Sequence, residues 1–282
     1  MRHLVFSITI AILFLVLSGC LVKESDPPKV IYRSTAVVKP IVNGDYYEYE
    51  VNGQITNTNG SYQPITGTLT VTYYTDSITL PFSTTLISVI REETVLNLGA
   101  PFTTTRYIQQ NGDGSLQVLA ADFGGVRYRT GPKDGLANDL QSILYLPSPI
   151  PSSGTGNLEF QYLQGCETIG ASACNPGVVM KFDETLTYYG DAVIQTLAGR
   201  FNALRYDFSG STIPVPLFGG ALFDFRTACS TTKASYLGSV FIFPEVGIVS
   251  YDYSCQSLDG SGTGHNFFID LRSTNVTIPN PQ

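Results

Sequence analysis

Asp45-Tyr46-Tyr47-Glu48-Tyr49-Glu50-Val51-Asn52-Gly53-Gln54-Ile55-Thr56-Asn57 is the stretch whose reading decides the fold. Its period is two. Tyr47, Tyr49 and Val51 fall on one side and Glu48 and Glu50 on the other, the pattern of a strand with one buried face. Asn52-Gly53 has the composition of a hairpin turn, but parity decides against one. A two-residue turn would pair Val51 with Gln54 and Tyr49 with Thr56, so polar residues would join the apolar face and Ile55 would leave it. An uninterrupted strand keeps Tyr47, Tyr49, Val51 and Ile55 together, with Gly53 as a bulge or a point of close contact. One strand is expected from Asp45 to about Asn57, with the turn at Asn59-Gly60.

The same period continues downstream. Leu69, Val71 and Tyr73 alternate with Thr68, Thr70 and Thr72 across Thr66–Tyr74. Strands are expected at Leu86–Leu98, Thr103–Gln110 and Ser115–Asp122, the last two joined through Asn111-Gly112-Asp113-Gly114. Leu136, Leu140, Ile143 and Leu144 fall at helical spacing behind Asp134, the one helix signal in the chain. A Pro/Ser/Gly run over 147–156 marks either a sub-boundary or a long loop. Strands resume at Leu158–Leu163, Val178–Tyr189, Ala192–Leu197, Phe201–Phe208, Ala221–Thr227, Tyr236–Phe243, Ile248–Ser254 and Asn266–Leu271. The expected fold is all-β: a large curved antiparallel sheet or partly open barrel, with at most one short helix.

Upstream, the chain opens with Arg2, an apolar run from Leu4 to Leu17, and then Leu17-Ser18-Gly19-Cys20. The run is too short for a spanning helix and has the layout of an export signal. The cysteine directly after Ser-Gly resembles the lipobox of bacterial lipoproteins. The resemblance implies cleavage before Cys20, a diacylglycerol on its thiol and an amide-linked acyl chain such as palmitate. It also implies residence on the outer membrane, facing the periplasm or the cell surface, because Leu21 is not the retaining Asp. The expected organisation is a signal at 1–19, the lipidated cysteine and a tether at 20–42, and a single β domain at 43–279. Some twenty flexible residues would hold the domain about 25 Å from its anchor.

The formal net charge of −7 argues against nucleic acid, which needs clustered Lys and Arg. Membrane attachment therefore rests on the acyl chains. Four cysteines remain besides Cys20: Cys166, Cys174, Cys229 and Cys255. An even number in an exported chain predicts two disulfides out of three possible pairings. Cys166 and Cys174 bracket a short, easily closed loop. A meander of Ala221–Thr227, Tyr236–Phe243 and Ile248–Ser254 would bring Cys229 and Cys255 to one sheet edge. The expected pairs are Cys166–Cys174 and Cys229–Cys255.

Two segments resemble a known pattern. Ala198-Gly199-Arg200-Phe201-Asn202-Ala203-Leu204, followed by Phe243-Pro244-Glu245-Val246-Gly247-Ile248-Val249, is similar to an "AGxFxAL … PxxGxV" pair of exported bacterial β-sheet lipoproteins. These include domains like the half-barrel lipoprotein-localisation factors. The resemblance implies a curved sheet around an apolar interior. On physical grounds alone, Gly199 permits a tight turn into a strand whose Phe201 plugs the core. Pro244 and Gly247 suit the two ends of a four-residue loop between strands.

Chemistry is sparse. G-x-S-x-G, GxxxxGK[ST] and G-x-G-x-x-G are all absent. His265, the one histidine after the signal, sits beside glycines and reads as a loop residue. With no C-x₂₋₄-C pair, zinc is not indicated. Asn111-Gly-Asp113-Gly-Ser115 and Asp259-Gly-Ser261-Gly resemble fragments of calcium loops but read as turns. Glu48/Glu50, Glu92/Glu93 and Asp183/Glu184 are the carboxylate pairs a glycosidase would need, and they read as solvated strand faces. No catalytic residue, cofactor or metal is expected. The expected function is a non-enzymatic, membrane-anchored envelope lipoprotein that binds an apolar ligand or an envelope protein partner. Phe201, Val249, Tyr251 and Tyr253 are candidates for lining an apolar pocket. An exposed row of tyrosines would instead favour a carbohydrate-binding or adhesive module, and a buried cluster of acids a hydrolase.

Overall fold

A computed structural model describes residues 38–57, 59–79, 86–99, 101–123, 126–132, 143–146, 150–151, 153–164, 178–213, 234–257 and 264–278. The strands are β1 (Tyr46–Thr56), β2 (Tyr62–Thr79), β3 (Leu86–Asn97), β4 (Pro101–Gln110), β5 (Leu116–Phe123), β6 (Val126–Pro132) and β7 (Ile143–Leu146), followed by β8 (Thr155–Gln164), β9 (Val178–Thr196), β10 (Gly199–Ile213), β11 (Ala234–Phe243), β12 (Gly247–Ser257) and β13 (Gly264–Thr274). They form one 13-stranded antiparallel sheet in the order β4-β3-β2-β1-β13-β12-β11-β10-β9-β8-β6-β5-β7. A further β4–β5 pairing curls the sheet back on itself. That return is short where β6 takes part: only Ala120–Phe123 pair with it from β5, and only Phe160–Gln164 from β8. The class is the expected one, and no helix occurs among the described residues.

β1 is a single strand through Asn52-Gly53, paired along its length with β2 and β13. Gly53 is a point of close contact: a Cβ there would lie 2.1 Å from the Asn266 carbonyl oxygen. The turn follows at Gly60, with φ of 79° and its N–H donated to the Asn57 carbonyl. Asn111–Ser115 is a turn closed by its own side chains: Asp113 accepts from the Ser115 N–H at 2.8 Å and from its hydroxyl at 2.6 Å. Those two bonds also hold the exposed Asp113 carboxyl below its usual range.

Four expectations change. Ile143 and Leu144 belong to strand β7, paired with Leu116–Val118, and not to a helix; Leu136 and Leu140 lie outside the described residues. A short apolar run carries both periods, and tertiary pairing decides between them. Val178–Thr196 is one strand with a register shift opposite Arg205/Tyr206, where two strands were expected; Gly190, at φ 130°, follows the extra residue Tyr189. Gly247 takes the positive φ expected after the loop, 118°, but pairs with Phe243, so it opens β12 and the loop shortens to Pro244–Val246. The meander does not form around β11, because both its edges are taken, by β10 and by β12. Segment Ala221–Thr227 itself lies outside the described residues.

Packing begins inside the segment assigned to the tether. Val38 is buried in the main core, and the Lys39 N–H donates to the Pro244 carbonyl at 3.1 Å. The strands on either side of the 147–156 run belong to the same sheet. One end of the sheet, termed the base, gathers Val38–Asp45, the Leu197-Ala198 tip of the β9–β10 hairpin, the Pro244–Val246 turn and the chain after β13. The tip runs past the end of β11 and bends over, so that the Ala198 N–H reaches the Leu271 carbonyl at 3.1 Å. Phe201 at its root is 1% exposed and packs on Phe243 with ring centroids 5.6 Å apart.

Candidate functional site

The two faces of the sheet differ in kind. Register lines up Val51, Ile269, Tyr251, Val240, Tyr206 and Tyr188 across the inner face of β1, β13, β12, β11, β10 and β9. The adjoining outward row is Asn52, Phe268, Asp252, Ser239, Asp207 and Thr187, and another is Gln54, Asn266, Ser254, Leu237, Ser209 and Thr185. This is the reverse of a transmembrane barrel, whose outer band is apolar and whose interior is polar. On these strands the sheet presents mostly amides, hydroxyls and carboxylates outward, with Tyr189, Leu237 and Phe268 exposed among them, and packs aromatic rings inward.

Inward glycines make room for those rings. The Phe208 ring lies over Gly238, where a Cβ would come 2.7 Å from Phe208 Cζ, and the Tyr236 ring lies over Gly210 at the same distance. Small residues opposite large ones are how a curved sheet fills its interior. Phe208 stacks on Tyr251 at 5.4 Å, Tyr253 on Tyr251 at 6.2 Å, and Tyr236 tilts against Tyr253 at 6.4 Å. Phe201, Val249 and Tyr253 are buried and Tyr251 packs against them, all within one core cluster. The four residues expected to line a pocket are thus surrounded by other side chains. Tyr206 is 4% exposed, and its hydroxyl has no hydrogen-bond partner in the structure. Burial, with Tyr188 beside it, pushes its phenol up to about 12.

A second inward feature was not anticipated. Tyr73, Glu92 and Arg106 stand side by side on β2, β3 and β4. Glu92 is 1% exposed. Its carboxylate accepts from Arg106 Nε at 2.6 Å and from the Tyr73 hydroxyl at 2.9 Å, and it forms an ion pair with Arg106 Nη2. Glu92 is therefore a buried, paired charge and not the solvated one expected. Its neighbour Glu93 lies half-buried on the opposite face beside Arg91. Glu48 and Glu50 are half-buried outward residues, as their alternation implies, and Asp183 is half-buried too.

On the outer face a polar cluster surrounds the β9 bulge. Arg205 donates to Asp207 through Nε at 2.7 Å and Nη2 at 3.2 Å, and its guanidinium lies 4.4 Å over the exposed Tyr189 ring. Ser239 links the two acids: its hydroxyl donates to Asp207 and its N–H to Asp252, both at 2.8 Å. Burial raises the Asp252 carboxyl, against the opposing pull of the Ser239 N–H and Arg205. A bulge re-aims one side chain, and here it turns Tyr189 outward over a cation. The arrangement has the makings of recognition. Sequence reading could have found only its Tyr188-Tyr189-Gly190 interruption, because its other members come from three different strands.

Cys255 is buried and disulfide-bonded. Cys20, Cys166, Cys174, Cys229 and the Asp259–Ser261 segment lie outside the described residues. His265 stands opposite Cys255 and stacks on Phe267 at 5.5 Å. Among the described residues no group of three or more His, Cys, Asp and Glu is arranged to hold a metal ion.

No family model matches the chain, and no curated protein matches it. Two crystal structures are similar to it. One is a candidate exported protein with a YmcC-like fold from Bacteroides fragilis NCTC 9343, at TM-score 0.43 and 10% identity, covering 85% of this chain and 99% of that one. The other is a candidate lipoprotein from Parabacteroides distasonis ATCC 8503, at TM-score 0.38 and 11% identity, with the same coverage.

Proposed function

We propose that this chain is a cell-envelope lipoprotein of the outer membrane, held by acyl chains on Cys20, whose β domain is non-enzymatic and binds a protein partner. The observation that carries the reading is the division of faces: rings fill the inner side where a pocket was sought, while the outer side is a water-facing surface bearing the Tyr189–Arg205 cluster. Arg and exposed aromatic rings are the residue types that dominate protein interfaces. Two alternatives find less support. Among the described residues the exposed tyrosines, Tyr62 and Tyr189, stand on separate parts of the sheet and form no row. Glu92 is tied to Arg106 and Tyr73, which suits a structural acid better than a hydrolytic one.

A second reading, an interior apolar ligand, is favoured by the Tyr206 hydroxyl, which a polar headgroup or a water could satisfy. Native mass spectrometry of protein released from membranes by cutting its tether separates the two. The partner reading predicts a ligand-free mass and no binding of fatty-acid probes. A co-purifying lipid, lost in Tyr206→Phe, would replace it with the ligand reading.

A further inference from the structure

The exposed large hydrophobic side chains among the described residues fall into a basal group and a scattered one. Val42, Leu86, Val193 and Leu197 are 55%, 64%, 45% and 67% exposed, and all lie toward the base. The others stand apart from one another: Tyr62 at the far end, at 68%, and Tyr189, Leu237 and Phe268 on the bodies of β9, β11 and β13, at 69%, 60% and 53%. Three of the basal residues occupy one sector. Leu197 is at the hairpin tip bonded to β13, Val42 is on the turn that bonds to β2 through the Gly44 N–H and Tyr73 carbonyl, and Leu86 opens β3. β13, β1, β2 and β3 are consecutive in the sheet. These side chains are held in place. Asp45 accepts from the Val42 N–H at 2.9 Å and pairs with Lys39, and the tip is fixed by its bond to Leu271.

The chain enters the fold at this same end. Residues 21–37 separate Cys20 from Val38, and the Lys39 N–H is pinned to the Pro244 turn. A flexible segment of that length spans about 23 Å, by the 5–6 Å × √n rule. β1, an 11-residue strand, is longer, at roughly 36 Å by the rise per residue of a strand. An anchor on Cys20 would therefore hold the base toward the bilayer. Apolar side chains on a surface held at a membrane partition into its interface.

We propose that the base is a membrane-contact surface, with Leu197, Val42 and Leu86 entering the bilayer interface. The inference rests on the acylation of Cys20. The partner is the lipid bilayer itself. The basal cations Lys39 and Arg272 are paired with Asp45 and Glu48, and Asp113 and Glu245 lie in neighbouring turns, so the base has no cationic excess and the apolar side chains supply the contact. The Tyr189–Arg205 flank and the Asn57–Ser61 end then face away from the membrane or along it, open to a partner.

The chain contains no tryptophan, so a single introduced indole reports its own position. The full-length mature protein is reconstituted in phosphatidylcholine vesicles with and without brominated acyl chains, as Leu197→Trp, Leu86→Trp and, for the far end, Asn59→Trp. Intact mass establishes acylation first. In acylated protein, bromolipid is expected to quench at least half the emission at 197 and at 86, with a blue shift, and to leave 59 unchanged. Two basal sites guard against a misfolded variant. Acylated protein in which 197 and 86 are quenched no more than 59 overturns the basal contact and leaves the lipoprotein reading intact. A chain lacking acyl mass overturns both.

Discussion

Gly238→Ala is expected to destabilise the domain by about 3 kcal/mol or more, at the top of the range for overpacking a core. The added Cβ would sit 2.0 Å from the Asp252 carbonyl oxygen and 2.7 Å from Phe208 Cζ. Phe208 could swing aside only into Tyr251 and Tyr253, on which it stacks. The carbonyl belongs to the β12 backbone and cannot move without breaking the β11–β12 ladder. Gly112→Ala is the control. It lies in the Asn111–Ser115 turn with nothing within 4 Å of the new Cβ, and should change stability by less than ~0.5 kcal/mol. In a domain of this size 3 kcal/mol lowers the melting temperature by roughly 6–12 °C. Equal melting temperatures for the two variants would mean that the Phe208 ring and the Asp252 carbonyl do not close over Gly238 as described.

Arg106→Ala should cost about 3 kcal/mol, the lower end of the range for breaking a buried ion pair, because Arg106 is 25% exposed while Glu92 is 1% exposed. The loss comes from leaving the Glu92 carboxylate buried without its cation. Removing the whole network should cost far less than removing one member. Glu92→Met, Arg106→Met and Tyr73→Phe together remove both charges and the phenol, and cost the half-buried Thr94 hydroxyl only its 3.5 Å bond to Glu92. Urea titration of the single and triple variants reads the difference. A triple variant no more stable than Arg106→Ala would show that the charges do more than satisfy each other, and would return Glu92 to the list of functional acids.

These cases mark what alternation can and cannot reveal. β1 was legible because one slip in register exposes every buried side chain, so parity alone rejected the Asn52-Gly53 turn. Phe201 was legible for the same reason. Tyr188-Tyr189-Gly190 was not, because a bulge and a turn interrupt alternation alike, and only the register against Leu204–Phe208 tells them apart. The Glu92–Arg106 pair was hidden differently. Glu92 and Thr94 are polar neighbours between Ile90 and Leu96, so alternation does not mark that stretch as buried, and the partner cation appears only when β3 and β4 are placed in register. The β11 neighbour was missed because sequence order suggests meanders, whereas β10 returns to that edge from beyond an intervening segment. Phe201, Val249, Tyr251 and Tyr253 lie inside the sheet. Their mutual stacking depends on packing between strands, which no single strand's pattern contains.

All of this acquires a biological address only if Cys20 carries the protein to a membrane. The direct measurement is intact mass and membrane fractionation of the mature protein beside a Cys20→Ala variant. The account predicts a mature chain beginning at Cys20, heavier by a diacylglycerol and an amide-linked acyl chain, in the membrane fraction. It also predicts that Cys20→Ala is unprocessed or soluble. A Cys20→Ala protein that loses its signal and still fractionates with membranes like the parent, or a parent that begins elsewhere and carries no acyl mass, would contradict it.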